Sequence, residues 1–129
     1  MDTIADFLTI IRNAYLAKMP SLTTNFSKFR GEIAKILKNE GFIEDFQVTE
    51  GLPSSHITLI LRYFEKDLPA ITGIKKVTKP SVRIYSGHNK IPLTLSGAGT
   101  TIVSTSKGLL TGKQAKEKHL GGEVICQIW

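Results

Sequence analysis

The chain has 129 residues, 41% of them hydrophobic, a single cysteine and a formal net charge of +6. That length fits one compact unit or two small halves, and that apolar content excludes wholesale disorder. One cysteine excludes an intramolecular disulfide framework, no apolar run reaches membrane-spanning length, and the basic balance favours a polyanionic partner without naming it.

Ile4, Phe7, Leu8, Ile11 and Tyr15 recur at helical spacing, predicting an amphipathic helix over residues 3–17 that stops before Pro20. Thr3 followed by Asp6 has the spacing of a capping box. Residues 18–26 are polar and Thr-rich, a loop or short extended segment. Ser27 is the expected N-cap of a second helix that buries Phe29, Ile33, Ile36 and Leu37, and Asn39-Glu40-Gly41 is its stop signal. Gly31 within that helix costs about 1 kcal/mol relative to alanine, which points to a close packing neighbour. Two strand-like runs, 42–49 and 56–64, flank the turn-rich segment 51–55. Residues 1–64 therefore read as a small α/β domain, with Glu65-Lys66-Asp67-Leu68-Pro69 at its boundary.

Residues 65–129 read as a mostly β domain. Runs 71–78 and 82–86 are candidate strands interrupted at Pro80, Gly87-His88-Asn89 is a turn, and Gly97-Ala98-Gly99 breaks the chain before a strand over 100–104. Thr111-Gly112-Lys113-Gln114 has capping-box spacing and predicts a short helix through about Lys118. Residues 123–129 form a last strand. The fold class is α+β: two helices packed on a short sheet, then a mostly β C-terminal domain with one short helix.

Charge is spread unevenly. Residues 1–50 hold six Lys/Arg against seven Asp/Glu, net −1, whereas residues 51–129 hold eleven against four, net +7. The second half is thus the expected anion-binding half. Lys75, Lys76, Lys79 and Arg83 cluster around Pro80, and Tyr85 shares the strand face of Arg83, setting a phosphate-binding cation beside a stacking ring. Lys113, Lys116 and Lys118 read equally as an RNA contact or as the solvated face of the short helix.

The sharpest chemistry lies in Ser104-Thr105-Ser106-Lys107-Gly108, which follows an apolar strand directly. Hydroxyls and backbone N–H groups reach phosphates, ribose 2′-OH groups and base edges, while glycine lets a nucleic acid approach closely. Gly121-Gly122-Glu123 comes later. If the last strand pairs beside the hydroxyl run, Glu123 can brace serine hydroxyls or accept from a base amino group.

Catalytic readings fare poorly. Gly97-Ala98-Gly99 begins like a dinucleotide fingerprint, but residue 102 is Ile and no βαβ unit surrounds it. Ser104 and Lys107 match the Ser-x-x-Lys pair of some serine hydrolases, yet that motif opens a helix and its partner motifs are missing. His56, His88 and His119 lie far apart with no cysteine at ligand spacing, so neither metal nor other cofactor is expected. Cys126 alternates with apolar neighbours, as a buried structural thiol does. No enzyme is expected; a small serine hydrolase and a general protein-interaction module are the rival readings.

Taken together, Ile91-Pro92, Leu95, Gly97, Gly99, Ser104-Thr105-Ser106-x-Gly108, Thr111, Ala115, Gly121-Gly122-Glu123-Val124-x-Cys126 and Trp129 resemble the C-terminal signature of ribosomal protein eight of the small subunit, in its bacterial or plastid form. Asp2-Thr3-Ile4-Ala5-Asp6 and Ile11-Arg12-Asn13-Ala14 are similar to that family's opening helix. Glu40-Gly41-Phe42-Ile43 and Lys79-Pro80-Ser81-Val82-Arg83-Ile84-Tyr85 match interior landmarks, so the resemblance covers essentially the whole chain.

The resemblance implies a structural protein that binds a helical hairpin in the central domain of small-subunit ribosomal RNA and helps assemble the platform beside neighbouring small-subunit proteins. It implies no cofactor and no membrane, and a place in the bacterial cytosol or an organelle stroma. Some relatives also repress translation by binding their own operon's messenger RNA. The RNA-binding residues it carries over are Ser104, Thr105 and Ser106, then Arg83, Tyr85, Lys107, Gly108, Gly122 and Glu123. Lys79 joins them from the basic cluster, and Arg12, Asn13 and Lys28 from the first half. Three departures stand out: Ser81 where the family usually has glycine, Gly112-Lys113-Gln114 in place of Asp-Arg-Glu, and Ile10 where arginine is common.

Overall fold

In the computed structural model, which describes residues 3–51, 53–77, 85–86 and 99–129, helix α1 (Thr3–Leu16) opens the chain. It buries Phe7, Leu8, Ile11, Ala14 and Tyr15, one apolar stripe at helical period. The expected Thr3 cap rests on a side chain outside the described residues. Strand β1 (Ser21–Asn25) follows, then helix α2 (Lys28–Asn39), strands β2 (Ile43–Thr49) and β3 (His56–Leu61), and a small hairpin of β4 (Tyr63–Phe64) and β5 (Leu68–Pro69). The first sheet has the order β1-β3-β2, antiparallel throughout. These elements form one compact unit, residues 3–71, and residues 72–129 form a second.

Local chemistry explains the helix ends. Ser27 caps α2 by accepting from the Arg30 N–H at 3.1 Å. At the other end Gly41 takes φ +80, and the N–H groups of Gly41 and Phe42 reach back to the carbonyls of Lys38 and Leu37. That is a Schellman stop, the role expected of Asn39-Glu40-Gly41. Helix α1 ends the same way, with Lys18 at φ 54 in the left-handed position that glycine usually fills.

Gly31 has the neighbour its cost implied: a Cβ there would lie 2.9 Å from the ring of Phe26. Phe29, expected in the buried face of α2, is only half-buried; the buried set is Ile33, Ala34, Ile36 and Leu37. The predicted strand 56–64 is interrupted at Arg62. Its N–H donates to the Tyr15 hydroxyl at 3.1 Å rather than to a neighbouring strand, and its guanidinium donates to the Gly41 carbonyl at 3.1 Å.

The second unit is built on β10 (Gly122–Ile128). On one side β10 pairs with β6 (Ile74–Lys76) and β7 (Tyr85–Ser86); on the other it pairs with β8 (Thr100–Thr105), which pairs with β9 (Gly108–Thr111). All these pairings are antiparallel. Val124 opposes Val103 and Cys126 opposes Ile102, leaving Ile125 as a bulge, so that Val124, Ile125 and Cys126 are buried in succession.

Helix α3 (Gly112–Glu117) carries the predicted capping box in full. Thr111 Oγ1 accepts from the Gln114 N–H and Gln114 Oε1 from the Thr111 N–H, both at 3.1 Å. It packs the buried Ala115 against Val103. Its end is a further Schellman stop, with His119 at φ 55. Strand β9 was not foreseen, because four residues give too little alternation to register as a strand.

Two buried acids hold their protons unusually tightly. Burial pushes the Cys126 thiol from 9.0 to about 12, and burial against only partly compensating neighbours pushes the Tyr15 phenol from 10.0 to about 12. The unfolded chain releases these protons first, so between about pH 9 and 12 folding retains protons that unfolding sheds, and stability falls as pH rises. The urea midpoint should therefore begin to fall near pH 9 and drop across that window. Cys126→Ala should flatten the early part of the drop and Tyr15→Phe the later part; an identical pH profile in both variants would overturn this assignment.

Candidate nucleic-acid interface

Strands β8 and β9 are joined by the two-residue turn Ser106-Lys107, with Thr105 and Gly108 facing each other across its base. The hydroxyl run is therefore the end of a strand and the tip of a hairpin rather than a loop. Ser106 and Lys107 are exposed at the tip, while Ser104, Thr105 and Gly108 are half-buried. Among these residues only Gly108 has positive φ, +98. Thr105 Oγ1 donates to the Gly108 carbonyl at 2.8 Å and accepts from the Lys107 N–H at 3.1 Å.

The last strand does pair beside this segment. Glu123 of β10 opposes Ser104 of β8 on one side and Tyr85 of β7 on the other, and Ser104 opposes Leu109 of β9. Four strands thus place positions 85, 123, 104 and 109 in one row, in which Glu123, Ser104 and Leu109, directly opposed, share a sheet face. Alternation along β8 puts Ser104 on the face opposite Val103, and so opposite α3. The exposed lysines of α3, Lys113 and Lys116, with Lys118 just beyond, belong to the other face and do not join the row.

Gly122 is needed for this convergence. A Cβ at that position would overlap the Ser104 carbonyl oxygen, fall 2.9 Å from its carbon and come within 3.2 Å of Val103 Cγ1. Only a residue without a side chain lets the start of β10 run against the end of β8. Leu109 escaped the sequence reading, since nothing but strand register connects it with Ser104.

The other expected contacts are distributed more widely. Lys79 and Arg83 lie outside the described residues. Arg12 and Asn13 on α1 and Lys28 at the start of α2 are exposed, and all three belong to the first unit. Arg30 is tied down. Its Nη1 donates to Thr24 Oγ1 at 2.7 Å and to the Asn25 carbonyl at 3.2 Å, and its guanidinium stands 5.2 Å from the centre of the Phe7 ring.

For the Ser-x-x-Lys reading the geometry is unsuitable. Ser104 sits within a β-strand and Lys107 in a hairpin turn, whereas the hydrolase pair requires both on one helix. Cys126 is buried, with its thiol pushed up to about 12, which leaves essentially no thiolate near neutral pH. No helix among the described residues is long and apolar enough to cross a membrane.

Comparison with known proteins accounts for nearly every residue of the chain. The family model described as Ribosomal protein S8 matches residues 2–129. The chain is 47% identical over 128 residues to the small ribosomal subunit protein uS8 of Finegoldia magna, an alignment spanning 99% of this chain and 98% of that one. The corresponding protein of Roseiflexus castenholzii is 46% identical over 128 residues, and that of Clostridioides difficile 44%, each spanning 99% of this chain and 97% of the relative.

Proposed function

The chain belongs to the ribosomal protein S8 family, with a structural role in the small ribosomal subunit, and from that premise we propose that it grips a folded stem of small-subunit ribosomal RNA with the tip of the β8–β9 hairpin and the start of β10. One observation carries this reading: Gly122 and Glu123 run directly against Ser104, two and three residues from the exposed Ser106 and Lys107. A narrow edge with small hydroxyl side chains and one cation suits the shallow groove of an RNA helix, where 2′-hydroxyls and base edges are displayed.

The division of labour is physical. Lys107 supplies attraction by releasing counterions, while Ser104 and Ser106 supply neutral hydrogen bonds that depend on fit. Lys79, Arg83 and Tyr85 add cationic and stacking contacts, and Arg12, Asn13 and Lys28 supply contacts from the first unit. The hairpin in the central domain of the ribosomal RNA is the stem expected to fit, and platform assembly beside neighbouring proteins is the consequence.

A filter-binding titration of the purified protein on that hairpin, repeated across salt concentrations, tests the proposal. Ser104→Ala combined with Ser106→Ala should weaken binding about thirtyfold, the loss of two neutral hydrogen bonds of about 1 kcal/mol each, and leave the salt slope nearly unchanged. Lys107→Ala should flatten the slope by about 1 unit. Indistinguishable behaviour of the two variants would defeat the division of labour, and wild-type affinity in the serine variant would defeat the site.

A further inference from the structure

Three hydroxyls in a row invite the assumption that all three touch RNA, but hydrogen-bond stoichiometry separates one from the others. A threonine hydroxyl has one proton to donate and two lone pairs to accept with. In Thr105 the proton goes to the Gly108 carbonyl and one lone pair takes the Lys107 N–H. No donor capacity is left for a phosphate oxygen, a base carbonyl or a ribose oxygen.

The turn also needs this fastening. Two-residue hairpin turns ordinarily take positive φ at one or both central residues, which matches the twist of the strands. Here Ser106 and Lys107 both avoid positive φ, and the left-handed residue is Gly108, just after them. That is the pattern of a common turn followed by a glycine bulge. In it, a hydroxyl before the turn that accepts from the N–H two residues on stands in for a missing backbone bond.

We propose that Thr105 is a positioning residue: its hydroxyl locks the hairpin tip so that Ser106 and Lys107 face the RNA, and it donates no hydrogen bond to the RNA. This rests on the RNA-binding reading above and goes beyond it, by reassigning one residue of the expected contact set. Threonine suits the position because its methyl group favours a strand while its hydroxyl spans the turn.

The test uses the full chain and the same ribosomal RNA hairpin, with Thr105→Val, Thr105→Ser and Gly108→Ala. Affinity is read by filter binding, exchange of the Lys107 amide hydrogen by NMR of the free protein, and folding by circular dichroism. Thr105→Val keeps the side-chain shape and removes both bonds; it should speed Lys107 exchange and weaken RNA binding about tenfold. Thr105→Ser should restore both. Gly108→Ala strains the same turn through its φ, so combining it with Thr105→Val should weaken binding little beyond the worse single variant.

Weakened binding in Thr105→Val with Lys107 exchange unchanged, and effects that add to those of Gly108→Ala, would instead assign a direct RNA contact to Thr105. Faster exchange with undiminished affinity would show that the locked turn is irrelevant to binding. Either result overturns the proposal while leaving the RNA reading intact. If Ser104→Ala with Ser106→Ala binds like the wild type, the RNA reading fails at this tip, and the positioning role falls with it.

Discussion

Gly122→Ala should lower the stability of the second unit by about 3 kcal/mol and cripple RNA binding in the same step. The added methyl group meets the carbonyl of Ser104, which is backbone, and behind it Val103, which is buried. A flexible side chain could swing aside; a strand hydrogen-bonded on both edges cannot. Relief requires β10 to move away from β8 at the row that holds Glu123 and Ser104, the site of the proposed contact. Urea unfolding followed by Trp129 fluorescence reports on the right unit, since Trp129 is the only tryptophan and its indole lies over Gly73 of that unit. Gly121→Ala is the control. Gly121 is exposed and does not have positive φ, so its stability should stay within about 0.5 kcal/mol of wild type. Equal midpoints for the two variants would mean that the close approach of β10 to Ser104 does not exist in solution.

Phe7→Ala should cost the first unit about 3–5 kcal/mol, at the upper end for removal of a buried aromatic ring. Phe7 has no exposed surface and is among the largest wholly buried side chains of the chain. Its ring is also the seat of the Arg30 guanidinium, which binds β1 through Thr24 and Asn25. Removing the ring therefore opens a cavity and takes away the surface against which Arg30 is packed. Phe7→Leu should recover most of the loss, because an aliphatic side chain refills much of the cavity without restoring the cation–π contact. Far-UV circular dichroism during urea titration measures both variants. A Phe7→Ala loss below about 1 kcal/mol would show that the site collapses around the missing ring.

How much could be read in advance depended on the range of the interaction involved. The stop at Gly41, the cap at Ser27 and the reciprocal Thr111–Gln114 bonds are contacts within a few residues, and each is where the residue pattern places it. The stops at Lys18 and His119 were less visible, because non-glycine residues fill their left-handed positions. The break at Arg62 went unseen for another reason: it depends on the hydroxyl of Tyr15, 47 positions away. Strand β9 was missed because it is too short for periodicity and is held by its pairing with β8.

The candidate site divides in the same way. Its residue types, its cationic half and the resemblance to a small-subunit ribosomal protein were all present in the linear order of amino acids. Periodicity, capping chemistry, charge and signature residues are properties of the chain itself, and they were enough to name two helices, a short third one, a β-rich second half and the hydroxyl run. Where the Thr105 hydroxyl commits its proton, why residue 122 has no side chain, and that Glu123 lies between Tyr85 and Ser104 were settled only by the folded arrangement. Strand register joins Glu123 to Ser104, 19 residues away, and to Tyr85, 38 residues away, and a hydroxyl commits its single proton according to where the neighbouring carbonyl stands in space, information that no local pattern carries.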